Sequence, residues 1–158
     1  MRITNLAPVA ALSVTAALSL TTIALAQGKK IERKNLPPAV EKTVEAQSQG
    51  ATIKGFSQEK EKGQTNYEAE MTVNGHSKDV LIDSKGAVVE IEEQVPLESL
   101  PMAAREVLQS KAGTGKILKV ESLTKHDKLV AYEAVVQNGN KKKEIQVGPD
   151  GEHLAHEE

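Results

Sequence analysis

Two hydrophobic periodicities alternate along the chain, and each occurs twice. Val40 and Val44 stack at i, i+4 with Ala39, Thr43 and Ala46 beside them, which predicts a helix. Pro37 and Pro38 suit its first turn, where the amides have no intrahelical acceptor, and Gly50 can stop it. A first strand is expected around residues 52–57. Further on the period is two. Tyr67, Ala69, Met71 and Val73 alternate with Asn66, Glu68, Glu70 and Thr72, the signature of a half-buried strand with one wet face. Asn74-Gly75 predicts a hairpin, because both residues accept positive φ. Val80 and Ile82 then point inward, Asp83-Ser84-Lys85-Gly86 turns the chain, and Val89 with Ile91 begins another strand.

The second passage has the same grammar. Ser99 is a candidate N-cap and Pro101 sits in a first turn. Met102, Ala103, Val107 and Leu108 supply apolar contacts, and Gly113 follows the helix. A strand is expected around 117–124. Next come Val130, Tyr132, Ala134 and Val136, then Ile145 and Val147, the turn Gly148-Pro149-Asp150-Gly151, and Leu154. The matches hold a nearly constant offset. Leu36-Pro37 recurs as Leu100-Pro101 and Asn74-Gly75 as Asn138-Gly139, both 64 residues on, while Tyr67-Glu68-Ala69 recurs as Tyr132-Glu133-Ala134, 65 on. Matches in one order at one spacing constitute an internal repeat. The expected fold is α+β: two αβββ(β) repeats, at 36–95 and 96–158, forming an antiparallel sheet with helices packed on one face. A unit of this size buries only about 60% of its unfolded surface, and Val95-Pro96-Leu97 is too short for a free linker, so the copies are expected to share a sheet or pack intimately.

Residues 3–27 carry no charge. Ala10 to Leu25 is apolar and rich in small residues, Arg2 precedes it, and Ala24-Leu25-Ala26 forms a small-x-small cleavage pattern. Residues 1–26 are therefore read as a signal peptide, with an uncleaved membrane anchor as the rival. Residues 27–35 are expected to be a flexible N-terminal segment. Cleavage leaves no stable membrane anchor and places the product in the periplasm or outside the cell.

The whole chain has 20 basic and 22 acidic side chains and no Cys. The charge balance excludes nucleic acid as the main partner, and the lack of Cys excludes disulfide scaffolds, thiol catalysis and a lipoprotein anchor.

Tyr67-Glu68-Ala69-Glu70-Met71, Asn74-Gly75 and Lys78-Asp79-Val80-Leu81-Ile82-Asp83 ending at Gly86, with their second-copy counterparts, resemble the PepSY-like family, whose unit is a helix followed by an antiparallel meander. The tandem pair resembles the beta-lactamase inhibitor protein architecture, in which two units form one long sheet with helices on one side. The resemblance covers about residues 36–158. It implies a secreted or periplasmic binding module, tied to peptidase inhibition or to regulation of envelope enzymes. Gly148-Pro149-Asp150 departs from Asp83-Ser84-Lys85, which leaves a role for the turn aspartate in doubt in copy two.

No catalytic constellation stands out, so an enzyme is not expected, nor is a cofactor. Glu68 and Glu133 recur at one repeat position, but acid–base work needs two carboxylates in different environments around one cleft. Glu59-Lys60-Glu61-Lys62-Gly63 reads as a mobile, solvated loop, and Lys141-Lys142-Lys143 as edge protection. Pleat alternation sends Glu68, Glu70, Asp79 and Leu81 to the helix-free face, and exposes Ala131, Glu133, Val135, Glu144 and Gln146 in copy two. These residues are the candidate surface for a protein partner in the cell envelope. The alternative is a small-ligand or metal sensor built on His153 and His156.

Overall fold

The computed structural model describes residues 28–61 and 63–154, so residues 1–26, read above as a signal peptide, lie outside the described residues. Strand β1 (Lys29–Ile31) leads through a 3-10 turn to helix α1 (Pro38–Gln47). Strands β2 (Ala51–Glu61), β3 (Gln64–Val73), β4 (His76–Asp83) and β5 (Val88–Gln94) follow. A second 3-10 turn (Leu97–Ser99) leads to α2 (Met102–Ala112), then β6 (Lys116–Lys125), β7 (Lys128–Asn138) and β8 (Lys141–Val147). The eight strands form one antiparallel sheet in strict sequence order. The fold is α+β, and the two repeats share that sheet through the β5–β6 ladder, Glu90↔Lys125 to Gln94↔Glu121.

The recurring Leu-Pro has a definite job. Leu36 and Leu100 each end a 3-10 turn in extended conformation and are buried, and the proline after each is the helix N-cap, with Pro38 following at the first helical position of α1. The helices then bury Val40 and Val44 in α1, and Ala104, Leu108 and Ala112 in α2. Paired residues share a sheet face, and Val80 with Ile91, then Ile91 with Thr124, carry the first core's face onto β6, where Val120 lies on the same face in the second core, so both helices lie on one side. Two cores result. One gathers α1 with Phe56, Ala69, Met71, Val80 and Ile82, and the other gathers α2 with Val120, Ala134, Val136, Ile145 and Val147.

The repeated glycine after the β4 and β8 turns is fixed by the helices. A Cβ on Gly86 would lie 2.7 Å from the Ala39 carbonyl oxygen, and one on Gly151 would lie 2.8 Å from that of Ala103. Both glycines also have positive φ, so turn and helix N-terminus meet where no side chain fits. Thr43 Oγ1 donates to the Gly86 carbonyl at 2.6 Å and tightens the first contact. The two turns differ in their acid. Asp83 Oδ1 accepts the amides of Lys85 and Ala87 at 2.8 and 2.9 Å. In copy two the aspartate position is Gly148, and the Glu152 carboxylate folds into the space where a Cβ there would stand, accepting the Asp150 amide at 2.9 Å. The acid has moved four residues along the chain and still braces the turn.

Several expectations need correction. Residues 29–31 are not a flexible tail: they pair with β2, and Ile31 packs on the first core. Strand β2 runs on to Glu61 by pairing with β3, so the charged stretch is a loop only at its tip. Ser99 caps no helix, because its hydroxyl donates to Pro96 O at 2.6 Å within the 3-10 turn. Met102 is 66% exposed at the start of α2 rather than in the core. A register shift between Leu81 and Ile82 puts Val88 rather than Val89 beside Ile91 in the first core. No strand includes Leu154.

Candidate protein-binding face

The side of the sheet opposite the helices is built by the residues that alternate with the cores. Glu68 pairs with Leu81 and Glu70 with Asp79, then Asp79 with Glu92, Glu92 with Leu123, Leu123 with Ala131, and Glu133 with Gln146. All nine residues expected on the helix-free face are there, Val135 and Glu144 completing the set as a cross-strand pair. They are not equally accessible. Glu144 is exposed and Glu68, Glu70, Asp79, Leu81, Glu133 and Val135 are half-buried. Ala131 is fully buried and Gln146 is 8% exposed, which corrects their expected exposure. Alternation fixes the face of a residue but not its cover, and the short Ala131 side chain sits beside the longer Leu123 and Glu133.

The repeat-equivalent glutamates are held in place from different strands. Ser57 Oγ donates to Glu68 Oε2 at 2.8 Å, and Gln146 Nε2 donates to Glu133 Oε2 at 2.7 Å. Between them, at the junction of the repeats, the carboxylate oxygens of Asp79, Glu92 and Glu121 lie within 4.8 Å of one another. Glu121 is almost fully buried. It accepts from Lys119 Nζ at 2.7 Å and from Ser77 Oγ at 3.3 Å.

Crowding acids at a partly dried surface favours their neutral forms. Burial, reinforced by Glu121, Glu133, Glu90 and Asp79, pushes Glu92 up to about 8. Burial also raises Asp79 to about 6, with Glu68, Glu121 and Glu70 adding to the effect and Lys119 opposing it. Glu133 is raised by burial, against the Gln146 hydrogen bond. For Lys119 burial works downward, but the hydrogen bond to Glu121 and the charges of Glu121, Glu92 and Asp79 outweigh it and lift the ammonium above its ordinary value.

Glu90, Glu92, Lys119, Glu121 and Leu123 were absent from the sequence-derived surface. Alternation with Ile91 and Val120 could have placed Glu92 and Glu121. Their mutual approach could not be foreseen, because it depends on the pairing of β5 with β6. His153 is exposed, with Nδ1 2.6 Å from Leu154 O, and His156 lies outside the described residues. Oxygen donors of the kind a hard cation prefers occur instead at Asp79 and Glu92, with Glu121 already bound to Lys119.

No family model matches the chain, and no curated protein matches it. Solved structures do resemble it. A candidate periplasmic protein of Bacteroides eggerthii superposes with a TM-score of 0.59 at 18% identity, over 74% of this chain and 84% of that one. A DUF2874 family protein of Bacteroides uniformis gives 0.57 at 18% identity, over 73% and 84%. A BLIP-like protein of Bacteroides fragilis gives 0.53 at 21% identity, over 76% and 83%. At these identities the likeness is one of fold, and it matches the tandem sheet-and-helix architecture.

Proposed function

We propose that this protein is a non-enzymatic binding module of the periplasm that engages a protein partner through the helix-free face of its sheet. The observation that carries this reading is the face itself: a surface crossing both repeats, with no helix on it among the described residues, that sets Leu81 and Val135 among hydrogen-bonded carboxylates. The apparent signal sequence and the periplasmic description of the B. eggerthii structure support the location. Inhibition or regulation of an envelope enzyme such as a peptidase is the role we favour, in keeping with the BLIP-like fold and with the PepSY-like pattern of the repeat. The test is capture from periplasmic extract on the immobilised mature protein, read by mass spectrometry. Leu81→Arg and Val135→Arg should each weaken binding of the captured partner at least about tenfold, or ~1.4 kcal/mol, without moving the unfolding midpoint. Undiminished capture by both folded variants would shift the interface to the helices or loops.

A further inference from the structure

We infer that the helix-free face docks a basic, extended segment of its protein partner, laying lysine or arginine side chains across Asp79, Glu92 and Glu133 with their aliphatic stems over Leu81 and Val135. This rests on the reading of that face as the binding surface and adds the chemistry of the partner. Charge complementarity is the argument. From β3 to β8 the centre of the face is a field of carboxylates in which the nearest cations are already engaged, Lys119 with Glu121 and Lys125 with Glu90. Such a field repels nucleic acid and anionic lipid, and it repels a second copy of itself in a two-fold contact. It attracts cations, and long basic side chains can cover apolar surface with their stems.

Docking also has a proton signature. The charged groups facing Asp79 and Glu92 are Glu68 and Glu70 from β3, Glu90 from β5, Lys119 and Glu121 from β6, and Glu133 from β7. Burial, with the charges of Glu121, Glu133, Glu90 and Asp79, leaves Glu92 largely protonated at neutral pH. A fixed cation arriving at the face favours the carboxylate form, so binding releases protons.

The probe is an eight-residue peptide alternating arginine with serine, with glutamate replacing arginine in the control. Calorimetry at pH 7 in two buffers of different ionisation enthalpy should show binding of the arginine peptide alone and a buffer-dependent heat of proton release. Affinity should fall at least about tenfold between about 50 and 300 mM salt as screening shortens the field. The double variant Asp79→Asn, Glu92→Gln should lose at least about tenfold in affinity and the proton release, while remaining folded because it relieves repulsion. Absence of arginine-peptide binding, equal binding of both peptides, or an unaffected double variant overturns the inference. So does concentration-dependent self-association that the peptide reverses, which would give the face to a second copy. If Leu81→Arg still abolishes capture from extract when the peptide fails, the face remains the interface and only its basic partner is wrong. If Leu81→Arg and Val135→Arg leave capture intact, the face reading itself falls.

Discussion

At the scale of single residues, the sharpest consequence concerns Glu92. Its carboxyl titrates near 4.5 in an unfolded chain and at about 8 here, raised by burial and by Glu121, Glu133, Glu90 and Asp79. The folded state therefore holds a proton that the unfolded state has lost between those values. The contribution of Glu92 to stability is fully present below about pH 4.5 and is lost as pH rises through 8, with Asp79 adding a smaller loss between 3.8 and about 6. Thermal melts should give a higher Tm at pH 5.5 than at pH 8. Glu92→Gln should remove most of that difference and stabilise the protein at pH 8 by about 1 to 2 kcal/mol, a value reduced for partial solvent screening. A Tm that rises towards pH 8 would contradict this. The tyrosines illustrate a milder lesson. Tyr67 and Tyr132 pack at the edges of the two cores, half-buried rather than enclosed, so truncation to Ala should cost about 2 kcal/mol, below the range for a fully buried ring. Equal urea midpoints for wild type and both variants would show that the rings contribute no packing.

At the scale of elements, the turn–helix contact gives a controlled comparison. Gly75 and Gly86 share a φ of +88°, but a Cβ at 75 meets nothing within 4 Å, whereas one at 86 strikes the Ala39 carbonyl. Gly75→Ala should therefore cost about 1 kcal/mol, for left-handed backbone alone. Gly86→Ala should cost about 2 to 4 kcal/mol, because α1 must also shift. Similar losses would show that the helix yields freely. The elements also show where sequence reasoning succeeds and where it stops. Strand β3 was legible because Tyr67 to Val73 alternates without interruption, and its hairpin because Asn74-Gly75 suits the turn. Periodicity could not see β1, which is three residues long and held chiefly by pairing. It lost phase at register shifts, next to Gly55 in β2, at Val89 and again between Ile117 and Lys119. The Glu152 brace was hidden because the carboxylate moved along the chain while its task at the turn stayed the same.

At the scale of the whole molecule, the candidate face was readable as a list of residues but not as an electrostatic object. Each repeat taken alone predicts a wet strand face. Only the β5–β6 pairing, which brings Glu92 against Leu123 and Gln94 against Glu121, turns two such faces into one crowded acidic surface. The same pairing should make the halves unfold together, although their cores are separate. Because the chain has no Trp and only two tyrosines, Tyr67→Phe and Tyr132→Phe each leave a single fluorescent reporter, one per half. Urea transitions followed by either reporter should coincide, and Val40→Ala in α1, at a cost of about 1 to 3 kcal/mol, should lower both midpoints equally. Separate midpoints would mean that the continuous ladder does not couple the repeats.

The strict sequence order of the strands also governs how the chain can be assembled. Every strand after β1 pairs with the one made just before it, and, β1 apart, each helix precedes the strands it covers. Mean contact separation is therefore short for a sheet protein, the condition under which folding barriers fall and rates rise. A polypeptide that becomes free to fold N-terminus first can add one strand at a time to a growing edge. At no stage does a strand wait for a neighbour that has yet to be made.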